Sequence, residues 1–414
     1  MSYFGLHLQT PINDWDKELI RAAEAGKPYK IVKAFWIEAG RTVKNISQST
    51  TTVFRHYIVH QDPYLDRAAI SDYEADKAAD EYILKFSDSL NDQSEYVDYV
   101  ESLNETYPSE DIGSQRKAVA FDRAFIRRLA VLCPNVKPVV YTAPPGNIDH
   151  DEYDILVLLA RECEAAGGAF GYHNYWSVVN KRSYVNSPGH ARDYQMRWAG
   201  LDAFLIAKGI RVNWVLGESG AIGAGPTGYW QKPNDGWRKD DVWNGDENGY
   251  LSDLLSMDDQ FEASLAGREG RLEGATLFTS NVGVGWDHFR VEKPFLSRLT
   301  DYIIDSSTVT PLPDPDPDPI PDPQPPLTSF EKKAWEVTVR MQETGQNGIR
   351  LNAEAAIQKQ INEDNAEGLE LQIVTSEEFV EGKTVQAAES LTGKCPRRVY
   401  VWHRHEPLYW FEEA

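Results

Sequence analysis

Residues 1 to about 305 alternate short apolar runs with longer stretches of helical periodicity. Between the fourth and fifth runs, for example, Ala118, Phe121, Phe125 and Leu129 share one helical face. Eight strands that alternate with helices predict a parallel α/β fold, and the count of eight favours a closed (β/α)8 TIM barrel over an open sheet. The eight apolar runs are Phe4–Gln9, Tyr29–Trp36, Thr52–His60, Tyr96–Asn104, Lys137–Thr142, Ala169–Tyr175, Val212–Gly217 and Ala275–Ser280.

Helix ends in this part of the chain are marked by glycine. A predicted helix over Asp154–Ala166 stops at Gly167-Gly168, and another over Ala191–Lys208 stops at Gly209. Residues 37–50 are short and rich in serine and threonine, so we expect no helix between the second and third strands.

Residues 311–326 read PLPDPDPDPIPDPQPP and predict a stiff spacer, because proline fixes φ and removes the backbone donor. We therefore predict a barrel domain over residues 1–310, a linker over 311–326 and a small α+β accessory domain over 327–414. The accessory domain is predicted to hold helices over Phe330–Met341 and Ala353–Ile361, a strand over Leu369–Val374, and a hairpin of Arg397–His403 and Leu408–Glu412. We expect it to tether or target the barrel by binding a glycan or a protein partner.

Composition excludes several classes of function. The 414 residues carry a net charge of −22, which disfavours both nucleic acid and anionic membranes as partners. The three cysteines have no CxxC spacing, and the sequence contains no GxGxxG after the first strand, no P-loop motif and no HExxH. We therefore expect no metal and no organic cofactor. The N-terminus lacks the features of a signal peptide, so the expected location is the cytoplasm, or outside the cell by another route such as lysis.

Two glutamates stand where apolar runs are expected to end at the active face of a barrel. Glu105 follows Asn104 after the fourth run, and Glu218 follows Gly217 after the seventh. Glycoside hydrolysis needs two carboxyl groups at the scissile bond, one protonated and one ionised. A glutamate after a strand is more often a solvated loop residue, but the pair in this strand order favours catalysis.

The sequence resembles the clan A glycoside hydrolases, which are retaining (β/α)8 enzymes that include cellulases and mannanases. Asn104-Glu105 resembles the acid/base motif after strand four of that group, and Gly217-Glu218-Ser219-Gly220 resembles its nucleophile motif on strand seven. His173 and Tyr175, in the sixth run, resemble the His-x-Tyr signature that lies near the nucleophile in that group. The resemblance also implies that Trp286 floors the sugar site and that Arg55 braces the nucleophile, although Trp286 stands six residues past the expected strand end.

Aromatic residues supply further candidates for sugar binding, since their faces stack on sugar rings. Trp36 ends the second run, and Trp230 lies in the long loop after Glu218. The alternative is that the aromatics of this loop pack the loop itself. They are Tyr229, Trp230, Trp237, Trp243 and Tyr250.

The predicted function is a retaining glycosidase for β-linked oligo- or polysaccharides, with Glu218 as nucleophile and Glu105 as acid/base. Such an enzyme places its two carboxyl groups roughly 5–5.5 Å apart, and we expect the surroundings to raise the pKa of Glu105. The rival hypothesis is a non-catalytic carbohydrate-binding or structural barrel in a larger assembly.

Overall fold

The computed structural model describes residues 2–9, 14–108, 111–179, 181–187, 194–223, 236–240, 242–280 and 286–308, and the backbone of 371–375, 398–403 and 406–412. The chain divides into two compact units, Met1–Pro315 and Asp316–Ala414. The segment predicted as a linker, residues 311–326, lies outside the described residues, and the three-part domain assignment stays a prediction.

Eight parallel strands close into a barrel, because each strand pairs with the next and the last pairs with the first. This confirms the predicted barrel architecture. A two-residue strand, Arg182–Ser183, pairs antiparallel with the end of the sixth barrel strand. The barrel strands are β1 Phe4–Leu8, β2 Ile31–Ala34, β3 Thr51–Arg55, β4 Tyr99–Glu101, β5 Lys137–Ala143, β6 Ala169–Val179, β7 Asn213–Gly223 and β8 Leu272–Ser280.

Helices follow the strands along the chain, and several begin at a side-chain cap. Asp111 accepts a hydrogen bond from the backbone nitrogen of Ser114 at the start of the helix Ile112–Leu132, and Ser71 accepts one from that of Glu74 at the start of the helix Asp72–Ile83. The α-helices are α1 Trp15–Glu24, α2 Glu38–Ile46, α3 Asp62–Ala68, α4 Asp72–Ile83, α5 Ser87–Asp92, α6 Ile112–Leu132, α7 Val157–Ala165, α8 Arg197–Ala207, α9 Glu247–Ala263, α10 Leu265–Arg268 and α11 Phe295–Ile304.

The prediction that no helix joins β2 and β3 is wrong, because α2 occupies that position. Its buried face uses Ala39, Gly40 and Val43, which are small or branched residues that the polar composition of the segment obscures. Gly40 allows this close approach, since a Cβ there would lie 2.5 Å from the carbonyl oxygen of Tyr96.

Side chains that point into the barrel form successive layers, as the period of two along each strand requires. On β2, β3 and β4 the inward apolar residues are Ile31, Val53 and Tyr99. The next inward positions, two residues further along each strand, hold Lys33, Arg55 and Glu101, which are all buried. The barrel thus has an apolar floor beneath a charged layer, and the charged layer lies next to the carboxyl ends of the strands. The floor consists of Ile31, Val53, Tyr99, Val139, Ala169 and Val215.

The second unit contains a three-stranded sheet in which β9 Leu371–Thr375 pairs in parallel with β10 Arg398–His403. The strand β11 Glu406–Glu412 pairs antiparallel with β10, as the predicted hairpin requires. The two helices predicted for this unit lie outside the described residues. In the described part of the chain, no helix has the length and apolar character needed to cross a membrane.

Candidate active site

A cleft of about 640 Å³ opens at the carboxyl ends of the barrel strands. Both predicted catalytic residues, Glu105 and Glu218, line it. Three of the other predicted site residues near them, Asn104, Arg55 and Tyr175, line it as well. The (β/α)8 fold places chemistry at this face of the barrel, so the cleft is the candidate active site.

Glu218 lies within β7, which continues five residues beyond it to Gly223, and not at the end of the strand as expected. The pairing of β7 with β6 shifts register between Tyr172 and His173, so that His173 lies opposite Glu218. Successive side chains of a regular strand point to opposite sides, so Glu218 would face away from the interior that Gly217 faces. The shift in register interrupts this alternation and lets the side chain of Glu218 enter the site. At Gly217 a Cβ would lie 2.9 Å from Nζ of Lys33, so a side chain there would press on the buried pair of Lys33 and Glu101.

Two donors hold the carboxylate of Glu218. Nη1 of Arg55 lies 3.1 Å from Oε1, and Oη of Tyr175 donates to Oε2 at 3.0 Å. The side chain of Glu218 is only 8% exposed. A carboxylate that accepts from both an arginine and a phenol is held in one orientation with its charge balanced, which suits a nucleophile.

Glu105 stands at the mouth of the cleft, four residues after β4 ends at Glu101, with a side chain 40% exposed. Its backbone adopts φ of 51°, a left-handed conformation that is uncommon for residues other than glycine. Nδ1 of the buried His173 lies 2.7 Å from Oε1 of Glu105 and 3.4 Å from Oε2 of Glu218. The histidine therefore lies between the two glutamates.

The expectation that the surroundings raise the pKa of Glu105 is wrong. Desolvation raises this pKa, but the charge and hydrogen bond of His173 act in the opposite direction, and Arg55 and Lys33 add to them. The net effect places the pKa of Glu105 below its ordinary value of 4.5. The contact with His173 is the main physical reason, and the buried cations Arg55 and Lys33 add to it; the positions of the glutamates along the sequence reveal neither.

Arg55 joins the site to this buried charged layer. Its Nη1 lies 3.5 Å from Oε1 of Glu101 and also donates to Oδ1 of Asn104. Glu101 in turn pairs with Nζ of Lys33 at 2.7 Å, with both side chains almost fully buried. Strands β2, β3, β4 and β7 are thus tied together by one network of opposite charges beneath the cleft.

The aromatic candidates have different positions. Trp286 lines the cleft, 37% exposed, with its ring 5.3 Å from that of Phe278 in an edge-on arrangement. Trp36 is not among the described residues that line the cleft, and it packs half-buried against the core beside α2. The preceding residue, Phe35, lines the cleft instead, because successive side chains diverge where β2 ends. Trp230 lies outside the described residues.

The loop after Glu218 uses its described aromatic residues for packing. Trp237, Trp243 and Tyr250 are buried, and the rings of Trp237 and Tyr250 stack at 5.0 Å. This supports the packing alternative for these three residues, while Tyr229 lies outside the described part of the chain.

Sequence reasoning missed one wall of the cleft, which is built by the segment after β3. Tyr57, 59% exposed, and Val59, 71% exposed, line the cleft, and the ring of Tyr57 lies 5.5 Å from that of Phe35. Gln61 holds the backbone of Asn104 at two points, accepting from its nitrogen at 2.6 Å and donating to its oxygen at 3.0 Å. The available signal was the charged Arg55 inside an apolar run, which marks the inner face of the barrel.

Glu105, His173 and Glu218 are also the group of described residues that could hold a metal ion, since one ligand atom from each lies within 4.8 Å of the others. The imidazole nitrogen between the carboxylates would be the third ligand. A cation at this point would be repelled by Arg55, whose Nη1 is 3.1 Å from Glu218. The arrangement therefore suits two carboxyl groups that act on a substrate better than a resident metal.

No protein-family model and no curated protein sequence matches this chain. Similar solved structures include a GH5-4 broad specificity endoglucanase from an uncultured bacterium, with 14% identity, 74% of this chain and 94% of that chain covered, and a TM-score of 0.43. A beta-1,3-glucanase and allergen of Cryptomeria japonica pollen has 14% identity, 71% and 97% coverage and a TM-score of 0.39. A glycoside hydrolase family 5 enzyme from Prevotella bryantii B14 has 10% identity, 73% and 96% coverage and a TM-score of 0.39. The barrel of this chain is established by its own strand pairing.

Proposed function

We propose that the protein is a retaining glycosidase that hydrolyses β-linked oligo- or polysaccharides. The observation that carries the proposal is the convergence of two carboxyl groups in one open cleft. An oxygen of Glu105 and an oxygen of Glu218 lie within 4.8 Å of each other. This proximity is compatible with the retaining arrangement, in which the carboxyl groups stand roughly 5–5.5 Å apart.

The different surroundings of the two carboxyl groups support different roles. Glu218 is buried and held by Arg55 and Tyr175, so it can attack the anomeric carbon and form a glycosyl-enzyme ester. Glu105 is accessible and protonates the leaving glycosidic oxygen as the bond to the anomeric carbon breaks. In the second step Glu105 removes a proton from water, which attacks the same carbon and releases Glu218 as a carboxylate.

The lowered pKa of Glu105 fits the second step directly, because a base must be ionised. For the first step Glu105 must hold a proton, so the free enzyme is competent in the acidic pH range. We infer that the hydrogen bond between His173 and Glu105 changes as Glu105 gains and loses its proton. Nδ1 of His173 faces the carboxyl groups of both glutamates.

Rings on two sides of the cleft support a carbohydrate as substrate. Trp286 lies on the β8 side and Tyr57 on the β3 side, and both are partly exposed. Aromatic faces offer the apolar surface on which sugar rings stack. A charged, acidic glycan would need a free cation in the cleft. Arg55 is the arginine among the described lining residues, and carboxylates of the protein already engage it, so we expect a neutral glycan.

The test is activity on a panel of polysaccharides, including cell-wall glycans, followed by two variants on the best substrate. Glu218→Ala should be inactive on natural and aryl glycosides alike. Glu105→Ala should lose most activity on natural substrates but keep a measurable first step on an activated aryl glycoside, where little protonation is needed. It should then accumulate a glycosyl-enzyme that mass spectrometry locates on Glu218. Glu24→Ala, an exposed change at the end of α1, is the matched control.

A sugar trapped on any other residue, or equal losses on both substrate types, would refute these roles. Saturable glycan binding by a protein that hydrolyses nothing in the panel would favour the non-catalytic barrel. A metal-assisted hydrolase is the second candidate, favoured by the grouping of Glu105, His173 and Glu218. Activity that is lost on chelation and restored by a divalent cation would favour it over the proposal.

A further inference from the structure

The segment between β4 and α6 carries Asn104 and Glu105 in a conformation that needs support. Glu105 has φ of 51°, and the left-handed region is unfavourable for a side chain with a Cβ. Its carboxyl group must nevertheless stay 2.7 Å from Nδ1 of His173 and close to Glu218. Contacts from outside the segment therefore have to fix its backbone.

Gln61 holds the backbone of Asn104, and a buried carboxylate on α6 holds side chains on both sides of Glu105. Asp122, 1% exposed, accepts a hydrogen bond from Oγ of Ser102 at 2.7 Å on Oδ1. On Oδ2 it accepts from Oη of Tyr107 at 2.6 Å and from the backbone nitrogen of Tyr141 at 2.8 Å. Ser102 stands three residues before Glu105 and Tyr107 two residues after it, so one carboxylate holds both sides of the turn that presents Glu105.

The third partner of Asp122 ties this turn to β5. Tyr141 also has a left-handed backbone, with φ of 56°, and its Oη donates to the carbonyl of Asn147 at 3.0 Å. The side-chain amide of Asn147 donates to the carbonyl of Tyr107 at 2.6 Å. The network Asp122–Tyr107–Asn147–Tyr141 is therefore closed. It contains Tyr141, whose φ is positive, and Tyr107, which stands two residues after Glu105.

We propose that Asp122 is a positioning residue that sets the orientation of Glu105 through Ser102 and Tyr107. It touches neither substrate nor Glu105, and it acts from behind the cleft. The proposal rests on the proposed glycosidase function for its kinetic consequences, but its geometric claim can be tested separately. A residue that only stabilised the fold would leave the orientation of Glu105 unchanged in variants that still fold.

The kinetic test uses Tyr107→Phe and Asp122→Asn. Tyr107→Phe removes one hydroxyl and leaves Asp122 with two donors. Asp122→Asn keeps the shape but turns one acceptor into an amide donor that faces donors. The matched control is Tyr29→Phe, which removes an equally buried hydroxyl bonded to Thr300 at 2.8 Å, between the segment before β2 and α11.

We expect both test variants to lose about tenfold to a hundredfold in kcat on natural glycosides, with KM changed by less than about twofold, since misplacement by about 1 Å has effects of this size. The first step on an activated aryl glycoside should change by less than about threefold. Added azide, a nucleophile that needs no base, should raise turnover of the activated substrate in the test variants but not in Tyr29→Phe.

The geometric test is a crystal structure of each variant, supported by NMR titration of the Glu105 carboxyl. We expect Glu105 to leave the left-handed region and to lose its contact with His173, and its pKa to rise as that contact is lost. If Asp122→Asn does not fold, Tyr107→Phe and Ser102→Ala carry both tests.

Separate outcomes identify which claim fails. If the wild-type protein hydrolyses no glycoside, the proposed function falls, and the position of Glu105 in the variants still decides the inference. If wild type, Glu105→Ala and Glu218→Ala behave as a retaining enzyme requires but the Asp122 and Tyr107 variants lose activity equally on both substrate types, the inference alone is overturned. An unchanged Glu105 in the variant structures overturns it as well.

Discussion

Replacing Arg55 by methionine should destabilise the barrel mainly because it leaves the buried carboxylate of Glu218 without its cation. The methionine keeps most of the apolar stem of the arginine, so the change removes charge and hydrogen bonds more than volume. Glu101 retains Lys33, whose Nζ is 2.7 Å away, whereas Glu218 retains the hydroxyl of Tyr175 at 3.0 Å and the imidazole of His173 at 3.4 Å but loses its arginine.

The magnitude follows from distance and burial. Opposite charges 3.1 Å apart attract by about 5 kcal/mol at an effective dielectric constant of about 20. Removing one member of a buried pair costs about 3–5 kcal/mol, because the other charge stays buried and uncompensated. We therefore expect Arg55→Met to lower the free energy of unfolding by about 3–5 kcal/mol. Arg127→Met, which breaks a pair with Asp76 whose side chains are 37% and 36% exposed, should lower it by less than about 1 kcal/mol.

Urea unfolding followed by circular dichroism measures these changes on the full chain, so that the second unit is the same in every variant. The decisive comparison is a double-mutant cycle with Glu218→Gln. In the Arg55→Met background, this second change removes the uncompensated charge and should restore about 1–3 kcal/mol. The reasoning is refuted if Arg55→Met costs no more than Arg127→Met, or if Glu218→Gln restores nothing.

Three further predictions concern the cleft and the core. His173→Gln removes the largest influence that lowers the pKa of Glu105, so this pKa should rise. The descending limb of the pH profile of kcat/KM on a natural substrate should then move to higher pH. An unmoved limb would contradict the assignment of Glu105 as the acid. Tyr57→Ala should raise KM for an oligosaccharide by roughly twofold to tenfold through lost stacking, while Tyr73→Ala, on α4 and 67% exposed, should leave it unchanged. Burial raises the pKa of Asp253 from 3.8 to about 7, so the folded protein resists the ionisation that the unfolded chain undergoes. Stability should therefore fall as pH rises from about 4 to about 7, and denaturation of Asp253→Asn across this range should show a smaller fall.

The positions of the barrel strands could be read from the sequence because strand formation depends on local pattern. Lys137–Thr142 was predicted as a strand and Lys137–Ala143 is observed. The helical face predicted from Ala118, Phe121, Phe125 and Leu129 lies within α6. The helix α2 was missed because its buried face rests on small residues such as Gly40, whose close contact with Tyr96 exists only after the barrel has closed. Periodicity detects large apolar side chains and does not detect small ones that allow close packing.

The sequence predicted that Glu105 and Glu218 would lie in one cleft, but it did not predict the surroundings of either carboxyl group. Asn104-Glu105 and Gly217-Glu218 stand at recognisable positions along the chain, whereas the protonation behaviour of Glu105 depends on His173, Arg55 and Lys33. Arg55 and Glu218 are 163 residues apart, and their contact requires strands β3 and β7 to face the same interior. Electrostatic effects act through space, so no local pattern contains them.

By itself, the sequence determined the eight-strand alternation and the two glutamates that follow the fourth and seventh apolar runs, since both follow from residue type and spacing along the chain. Only the tertiary structure decided that Phe35 and not Trp36 lines the cleft, and that a shift in register opposite His173 brings Glu218 into the site. Only the structure placed Asp122 behind Glu105. The physical reason is that the direction of a side chain is fixed by the pairing and packing of distant segments, which form when the barrel closes.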